Sequence, residues 1–93
     1  MKPLKVSINH AVAELYIIED SRGLKWGYVV NVEVEEEYRR QGLGREIMAK
    51  VEEVAEENGC TFIKLTTRLS NVEARRFYQS LNYWESIAFG KDL

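Results

Sequence analysis

Three observations in this sequence predict an α/β fold. Apolar and polar residues alternate up to about residue 35. From Leu43 the apolar spacing switches to the helical period. After that point, helical stretches and short apolar runs take turns. The expected order is β-β-β-α-β-α-β, an antiparallel meander followed by β-α-β-α-β with the helices packed on the sheet.

Each element has its own signal. Leu4, Val6 and Ile8 share one face of a first strand, and Asn9-His10 can make the tight turn after it. A second strand runs from about Ala11 to Glu19, marked by Val12, Leu15, Ile17 and Ile18. Asp20-Ser21-Arg22-Gly23 is a turn signal. The third strand runs from about Lys25 to Glu35, with Val30, Val32 and Val34 facing one way and Asn31, Glu33 and Glu35 the other. Leu43, Ile47, Met48, Val51, Val54 and Ala55 then recur at helical spacing, which predicts a helix from about Gly44 to Glu57, stopped by Asn58-Gly59. Thr61–Thr67 reads as a short strand. Ser70-Asn71-Val72-Glu73 reads as a capping box opening a second helix, with Ala74, Phe77, Tyr78 and Leu81 inward. Tyr83–Phe89 reads as a last strand. A strand, a helix and a strand in succession predict a right-handed parallel crossover between Lys25–Glu35 and Thr61–Thr67.

With 93 residues, the chain predicts a single domain, 1–93. A domain of this size buries only roughly two-thirds of its unfolded surface, so the core is expected to be small, which leaves room for a homodimer. The net charge of −2 gives no bulk attraction to nucleic acid or to an anionic membrane, and neither is expected as a partner. No apolar run approaches membrane-span length, and MKPLKVSINH has no signal-peptide core; a cytoplasmic location is expected. The one cysteine, Cys60, excludes an internal disulfide and a cysteine-based zinc cluster, and no metal is expected. Cys60 reads as a packing residue with nothing nearby in sequence to activate it.

The junction Val34 to Gly44 carries the strongest chemical signal. A strand stops, a loop bends, and a helix starts near the second glycine of Arg39-Arg40-Gln41-Gly42-Leu43-Gly44. The first helical turn has N–H groups without intrahelical partners, and its dipole favours anions. Glycines without a Cβ let a phosphate approach the backbone, and Arg39 and Arg40 add positive charge. Alone, a Gly-x-Gly pair is as well explained by a tight turn; its place between strand and helix favours a phosphate cradle. A Rossmann loop does not fit, because the third glycine is replaced by Ile47 and the strands before it read antiparallel. A Walker A loop is excluded for want of its Lys-Ser/Thr.

These residues resemble the GNAT superfamily of acyl-CoA-dependent N-acetyltransferases. Arg39–Gly44 fits the superfamily's pyrophosphate loop, (Q/R)-x-x-G-x-(G/A), and Val32, Val34 and Tyr38 resemble its lead-in. Downstream, Asn71-Val72-Glu73-Ala74-Arg75-Arg76-Phe77-Tyr78-Gln79-Ser80-Leu81-Asn82-Tyr83 resembles N-x-x-A-x-x-F/L-Y-x-x-L-G-F, with Asn82-Tyr83 standing for Gly-Phe. The resemblance implies a GNAT-like mixed sheet, acetyl-CoA as acyl donor, and direct acetyl transfer to an amine: a protein N-terminus, a lysine or a small amine. It implies that Val32 and Val34 offer backbone groups to pantetheine, with the Val32 N–H polarising the acetyl carbonyl. Arg39, Arg40, Gln41, Gly42, Leu43 and Gly44 would hold the pyrophosphate. Asn71 would contact the cofactor arm, and Tyr78, two helical turns on, would be the general acid. Both also have a plain structural reading, as a cap neighbour and a core aromatic.

No general base is assigned. The superfamily's two usual positions correspond to Thr66 and Tyr28, and Glu33 is a candidate by proximity. Superfamily members usually begin with a strand and two helices that wall the acceptor site; here the residues before Lys25 read as strands. One strand, Tyr83–Phe89, stands where two are frequent. The expectation is a short version of the fold, or one completed by a second subunit. The acidic run Glu33–Glu37 is a solvated face or a lure for a cationic amine. His10 reads as a surface turn residue, and Trp26 and Trp84 as core or rim packing. Two competing readings are a non-catalytic acyl-CoA-binding module and an interaction domain that keeps only the fold.

Overall fold

The computed structural model describes residues 1–93. Strands β1 (Leu4–Ile8), β2 (Ala11–Glu19) and β3 (Lys25–Val34) come first. A 3-10 turn at Glu36–Tyr38 leads to helix α1 (Leu43–Glu57). The short strand β4 (Ile63–Lys64) and helix α2 (Val72–Ser80) follow. The sheet order is β1-β2-β3-β4. β1/β2 and β2/β3 pair antiparallel, and β3/β4 pair parallel across the α1 crossover, as the sequence predicts.

One face of the sheet makes the core. Val6, Ala11, Ala13, Leu15 and Val29 pack against Ile47, Met48, Val51 and Ala55 of α1. Ala11 and Ala13 on the sheet are the small residues that let the helix lie close. Phe77 and Tyr78 of α2, Leu81 at its C-cap and Tyr83 cover the side of this cluster and stay half-buried. Gly27 is obligatory here: a Cβ would stand 2.7 Å from Leu15 Cδ1 and 3.1 Å from Ile63 Cγ2.

The structure corrects the sequence reading in four places. First, the alternation of β3 is broken. The β2/β3 register shifts between Val12, opposite Glu33, and Glu14, opposite Val30. One extra residue on β3 makes a β-bulge, with Asn31 at φ 51° and its amide donating to Glu14 Oε1 at 2.6 Å. The bulge swaps faces, so Val29 and then Val32 and Val34 face the core, while Val30 does not join them. Second, only Ile63 and Lys64 of the expected Thr61–Thr67 strand pair with β3, opposite Gly27 and Tyr28; beyond that point the two strands part. Third, the N-cap of α2 is Asn71, not Ser70: Asn71 Oδ1 accepts the Ala74 N–H at 3.1 Å. The Ser70–Glu73 capping box does not form, because the helix starts one residue later. Fourth, Tyr83–Phe89 is not a strand. Glu85 ties it to α2 instead, accepting from Arg75 Nε at 3.0 Å and Gln79 Nε2 at 2.9 Å. The segment therefore leaves α2 away from β4, and an alternating pattern without a partner edge makes no ladder.

Candidate active site

The end of β3 and the loop after it carry Val32 to Gly44, while α2 carries Asn71 and Tyr78 and comes against the last residue of the loop through Phe77 beside Gly44. The loop is built in two steps. The 3-10 turn closes with Tyr38 N–H donating to Glu35 O and Arg39 N–H to Glu36 O. Arg39 then folds back, its Nε donating to Val34 O at 3.3 Å. Arg40 takes φ 65° and Gly42 φ 80°, and these two left-handed turns aim the chain into α1.

Gly42 is the N-cap of α1, whose first residue Leu43 comes one ahead of the expected Gly44, and no side chain caps it. The free N–H groups of the first turn thus face outward with the positive end of the helix dipole. A Cβ on Gly42 would meet nothing within 4 Å, so the approach to this backbone is open. That is what a phosphate cradle requires. Gly44 does a different job. Its missing Cβ would stand 3.1 Å from Phe77 Cζ, so this glycine lets α2 pack on α1. Leu43 also packs against the core, whereas Gln41, Arg40 and Arg39 are exposed.

Asn71 and Tyr78 lie at the two ends of α2. Asn71 spends its carbonyl oxygen on the helix cap, leaving its amide N–H groups for another acceptor. Tyr78 is half-buried, edge-on to Phe77 at 5.0 Å between ring centroids. Burial pushes its phenol above the ordinary tyrosine value, so it is a proton donor at neutral pH. Tyr83, beside it at 5.6 Å, is pushed up further, by burial first and then by the bond its hydroxyl donates to Glu52 Oε2 at 2.7 Å.

The two positions where a base was sought meet each other. Tyr28 Oη and Thr66 Oγ1 lie 3.4 Å apart across the β3/β4 junction. Glu33 is exposed, beyond the bulge. Cys60 is half-buried; burial pushes its thiol up, which fits a packing role.

His10 is an exposed turn residue, as the sequence predicts, but its contacts were not legible there. Its ring stacks on Tyr38 at 3.5 Å, 5° from parallel, and its Nδ1 lies 2.9 Å from Glu35 Oε2. The Glu35 N–H donates to His10 O at 2.9 Å. The β1/β2 turn therefore props the 3-10 turn that leads into the glycine loop. The available signal was the His10–Tyr38 pair of rings at the two ends of an antiparallel β2/β3 hairpin. A groove of about 1210 Å³ lies elsewhere: between β4, α2 and Tyr83–Phe89, touching Tyr78 but not the loop. No helix is long and apolar enough to cross a membrane.

Comparison with known proteins agrees with this fold. The family model described as Acetyltransferase (GNAT) family matches residues 10–83. The chain is 35% identical over 66 residues to the N-terminal acetyltransferase B complex catalytic subunit NAA20 of Arabidopsis thaliana, covering 69% of this chain and 38% of that protein. It is 39% identical over 54 residues to a thialysine N-epsilon-acetyltransferase of Bos taurus, covering 58% of this chain and 32% of that protein. The chain thus spans about a third of the length of these curated relatives. Among solved structures, a putative acetyltransferase from Agrobacterium tumefaciens superimposes with a TM-score of 0.81 at 21% identity, over 98% of this chain and 67% of that one. A putative acetyl transferase from Pyrococcus furiosus gives a TM-score of 0.79 at 25% identity, over 90% and 56%.

Proposed function

Since the chain belongs to the GNAT acetyltransferase family, we propose that it takes an acetyl group from acetyl-CoA and passes it directly to an amine. The observation that carries this reading is the uncapped start of α1 behind Gly42, open to an anion, with a phenol held protonated at Tyr78. The parting of β3 and β4 after Tyr28 supports it, because backbone groups of β3 become available to a pantetheine arm.

Acetyl-CoA supplies the acetyl group already activated as a thioester. The first-turn N–H groups of α1, with Arg39, Arg40 and Gln41, hold its pyrophosphate. The Val32 N–H donates to the acetyl oxygen as negative charge develops there, and Val34 contributes backbone groups to the arm. The amine nitrogen bonds to the acetyl carbon and the carbon–sulfur bond breaks. Tyr78 protonates the departing sulfur and regains a proton from solvent, while the amine yields its own proton to water. By likeness to the two curated relatives, protein N-termini and lysine-type amines are the acceptors to try first.

The test is thiol release from acetyl-CoA across a panel of amines, peptides and polyamines. Tyr78→Phe should lower kcat by roughly 10²–10⁴-fold, the usual worth of a general acid, with acetyl-CoA affinity kept. Turnover unchanged by Tyr78→Phe at every pH would sink the general-acid role. A second reading rests on Tyr28 and Thr66: neither position offers a carboxylate or imidazole base. A non-catalytic acyl-CoA-binding module would bind acetyl-CoA by calorimetry and release no thiol with any amine.

A further inference from the structure

The loop that faces the anion has little of its own to hold it. Of residues 35–42, Tyr38 alone is not exposed. The 3-10 turn at Glu36–Tyr38 buries no residue and has no side-chain cap. Arg40 and Gly42 both sit in the left-handed region, and a Cβ on Gly42 would touch nothing. A stretch with so few contacts opens easily unless something outside it fixes its shape. A cradle of N–H groups binds well when those groups already converge, since otherwise the ligand must supply the ordering.

The outside support is His10. The β2/β3 register sets Ala11 opposite Val34, so the next pair outward is His10 and Glu35. The Glu35 N–H donates to His10 O at 2.9 Å, and His10 Nδ1 lies 2.9 Å from Glu35 Oε2. An ionised carboxylate only accepts, so Nδ1 carries the proton in that bond. The Tyr38 N–H closes the 3-10 turn on Glu35 O. Residues three apart in such a turn lie one above the other, so Glu35 and Tyr38 meet the same imidazole. The two rings stack at 3.5 Å, 5° from parallel. Arg39, whose Nε donates to Val34 O, follows directly, and Arg40 comes next. The constraint therefore runs from the β1/β2 turn, through one pair of rings, to the first residue of the cradle.

The ring stack outweighs the ion pair. The side chains of His10 and Glu35 are 40% and 62% exposed, and an exposed pair contributes little. The stack covers the one sheltered side chain of the loop and fixes its direction. The turn itself does not call for an imidazole. His10 stands between Ile8 and Ala11 at φ 68°, where asparagine or glycine serves as well.

We propose that His10 is a positioning residue for the donor site: by stacking on Tyr38 and pairing with Glu35, it holds the glycine loop in the shape that receives a pyrophosphate. The role rests on the acetyl-CoA reading of the loop and adds to it a residue from the far end of the sheet. His10 reaches the loop and not the phenol of Tyr78, so it acts on donor binding rather than on the chemical step.

Three variants test this. His10→Asn keeps the left-handed turn and removes the stack; Tyr38→Ala removes it from the other side; Tyr38→Phe keeps it. Calorimetry with acetyl-CoA should show affinity weakened roughly three- to tenfold in the first two and nearly unchanged in Tyr38→Phe. The double variant His10→Asn with Tyr38→Ala should bind no more weakly than the weaker single one, because both remove the same contact. Where thiol release is measured, KM for acetyl-CoA should rise by the same factor and kcat should hold. In the donor-free protein, hydrogen exchange at the Glu35, Tyr38 and Arg39 amides should quicken in His10→Asn, with the amides of Ile47–Ala55 unchanged. Unaltered exchange at those three amides would overturn the proposal, as would fully additive losses in the double variant or a fall in kcat with KM kept. The unsubstituted protein tells the two ideas apart. If it binds no acetyl-CoA, the donor reading falls and takes this role with it; if it binds and His10→Asn binds equally well, only the role of His10 falls.

Discussion

Tyr83 shows how a single group sets a pH limit on this molecule. Burial, and then the bond to Glu52, push its phenol well above the usual tyrosine value. The folded chain therefore holds this proton more tightly than the unfolded chain does. Stability from such a group is complete below the unfolded value, near pH 10, and is lost as the pH rises from there. Tyr78 is displaced in the same direction by burial. Melting temperature measured from about pH 8 to pH 11 should fall along an alkaline limb. Tyr83→Phe should flatten that limb while costing about 1 kcal/mol at neutral pH for the lost hydrogen bond. Identical limbs in both proteins would show that Tyr83 does not carry the linkage.

At the scale of elements, the glycine loop was legible because each residue states its own constraint: Gly42 sits at φ 80°, a region that residues with a Cβ avoid. The helices were legible from their period. The bulge was not, because Val-x-Val alternation reads the same through an inserted residue, and only the shift from Val12/Glu33 to Glu14/Val30 reveals it. Asn31 was the signal, as asparagine tolerates the left-handed region better than valine. His10 was hidden for a related reason: its contact with Tyr38 depends on a hairpin register that no local pattern states. The capping of α2 failed by one position, since Ser70 and Asn71 are both good caps and the choice belongs to the whole turn. Asn71→Ala should cost about 1 kcal/mol through the cap alone. Chemical denaturation of the donor-free protein would measure that loss. A further loss of acetyl-CoA affinity, beyond that of a comparably destabilised variant, would assign the amide to the donor.

Over the whole molecule, ten residues are buried, and only four large side chains, Leu15, Ile47, Met48 and Val51, are almost fully enclosed. So small a core puts total stability near the low end of the roughly 5–15 kcal/mol usual for domains. Leu15 fills the space above Gly27 together with Ile63. Leu15→Ala should cost roughly 2–5 kcal/mol and leave a large unfolded fraction at room temperature. A urea midpoint close to that of the unsubstituted protein would mean the cavity collapses or the stability lies elsewhere. The segment Tyr83–Phe89 belongs to this scale too: its alternation was plain in the sequence, yet strand formation is a property of an edge and a partner together.

The contact between Gly44 and Phe77 gives the molecule a ruler. One end of the measured length is the anion-facing start of α1; the other is Tyr78, the residue next to Phe77. Phe77 Cζ lies 3.1 Å from where a Cβ on Gly44 would stand, so one added carbon there would press the two helices apart. Gly44→Ala would lengthen the span slightly while keeping the backbone N–H of residue 44 in the cradle and leaving the Tyr78 phenol unchanged. Acetyl-CoA should still bind with near-normal affinity, and kcat should fall more than tenfold because reacting groups tolerate little misplacement. Shortening the other side of the contact with Phe77→Leu should recover part of the rate; an equal loss of affinity and rate in Gly44→Ala would mean the glycine serves the cradle alone.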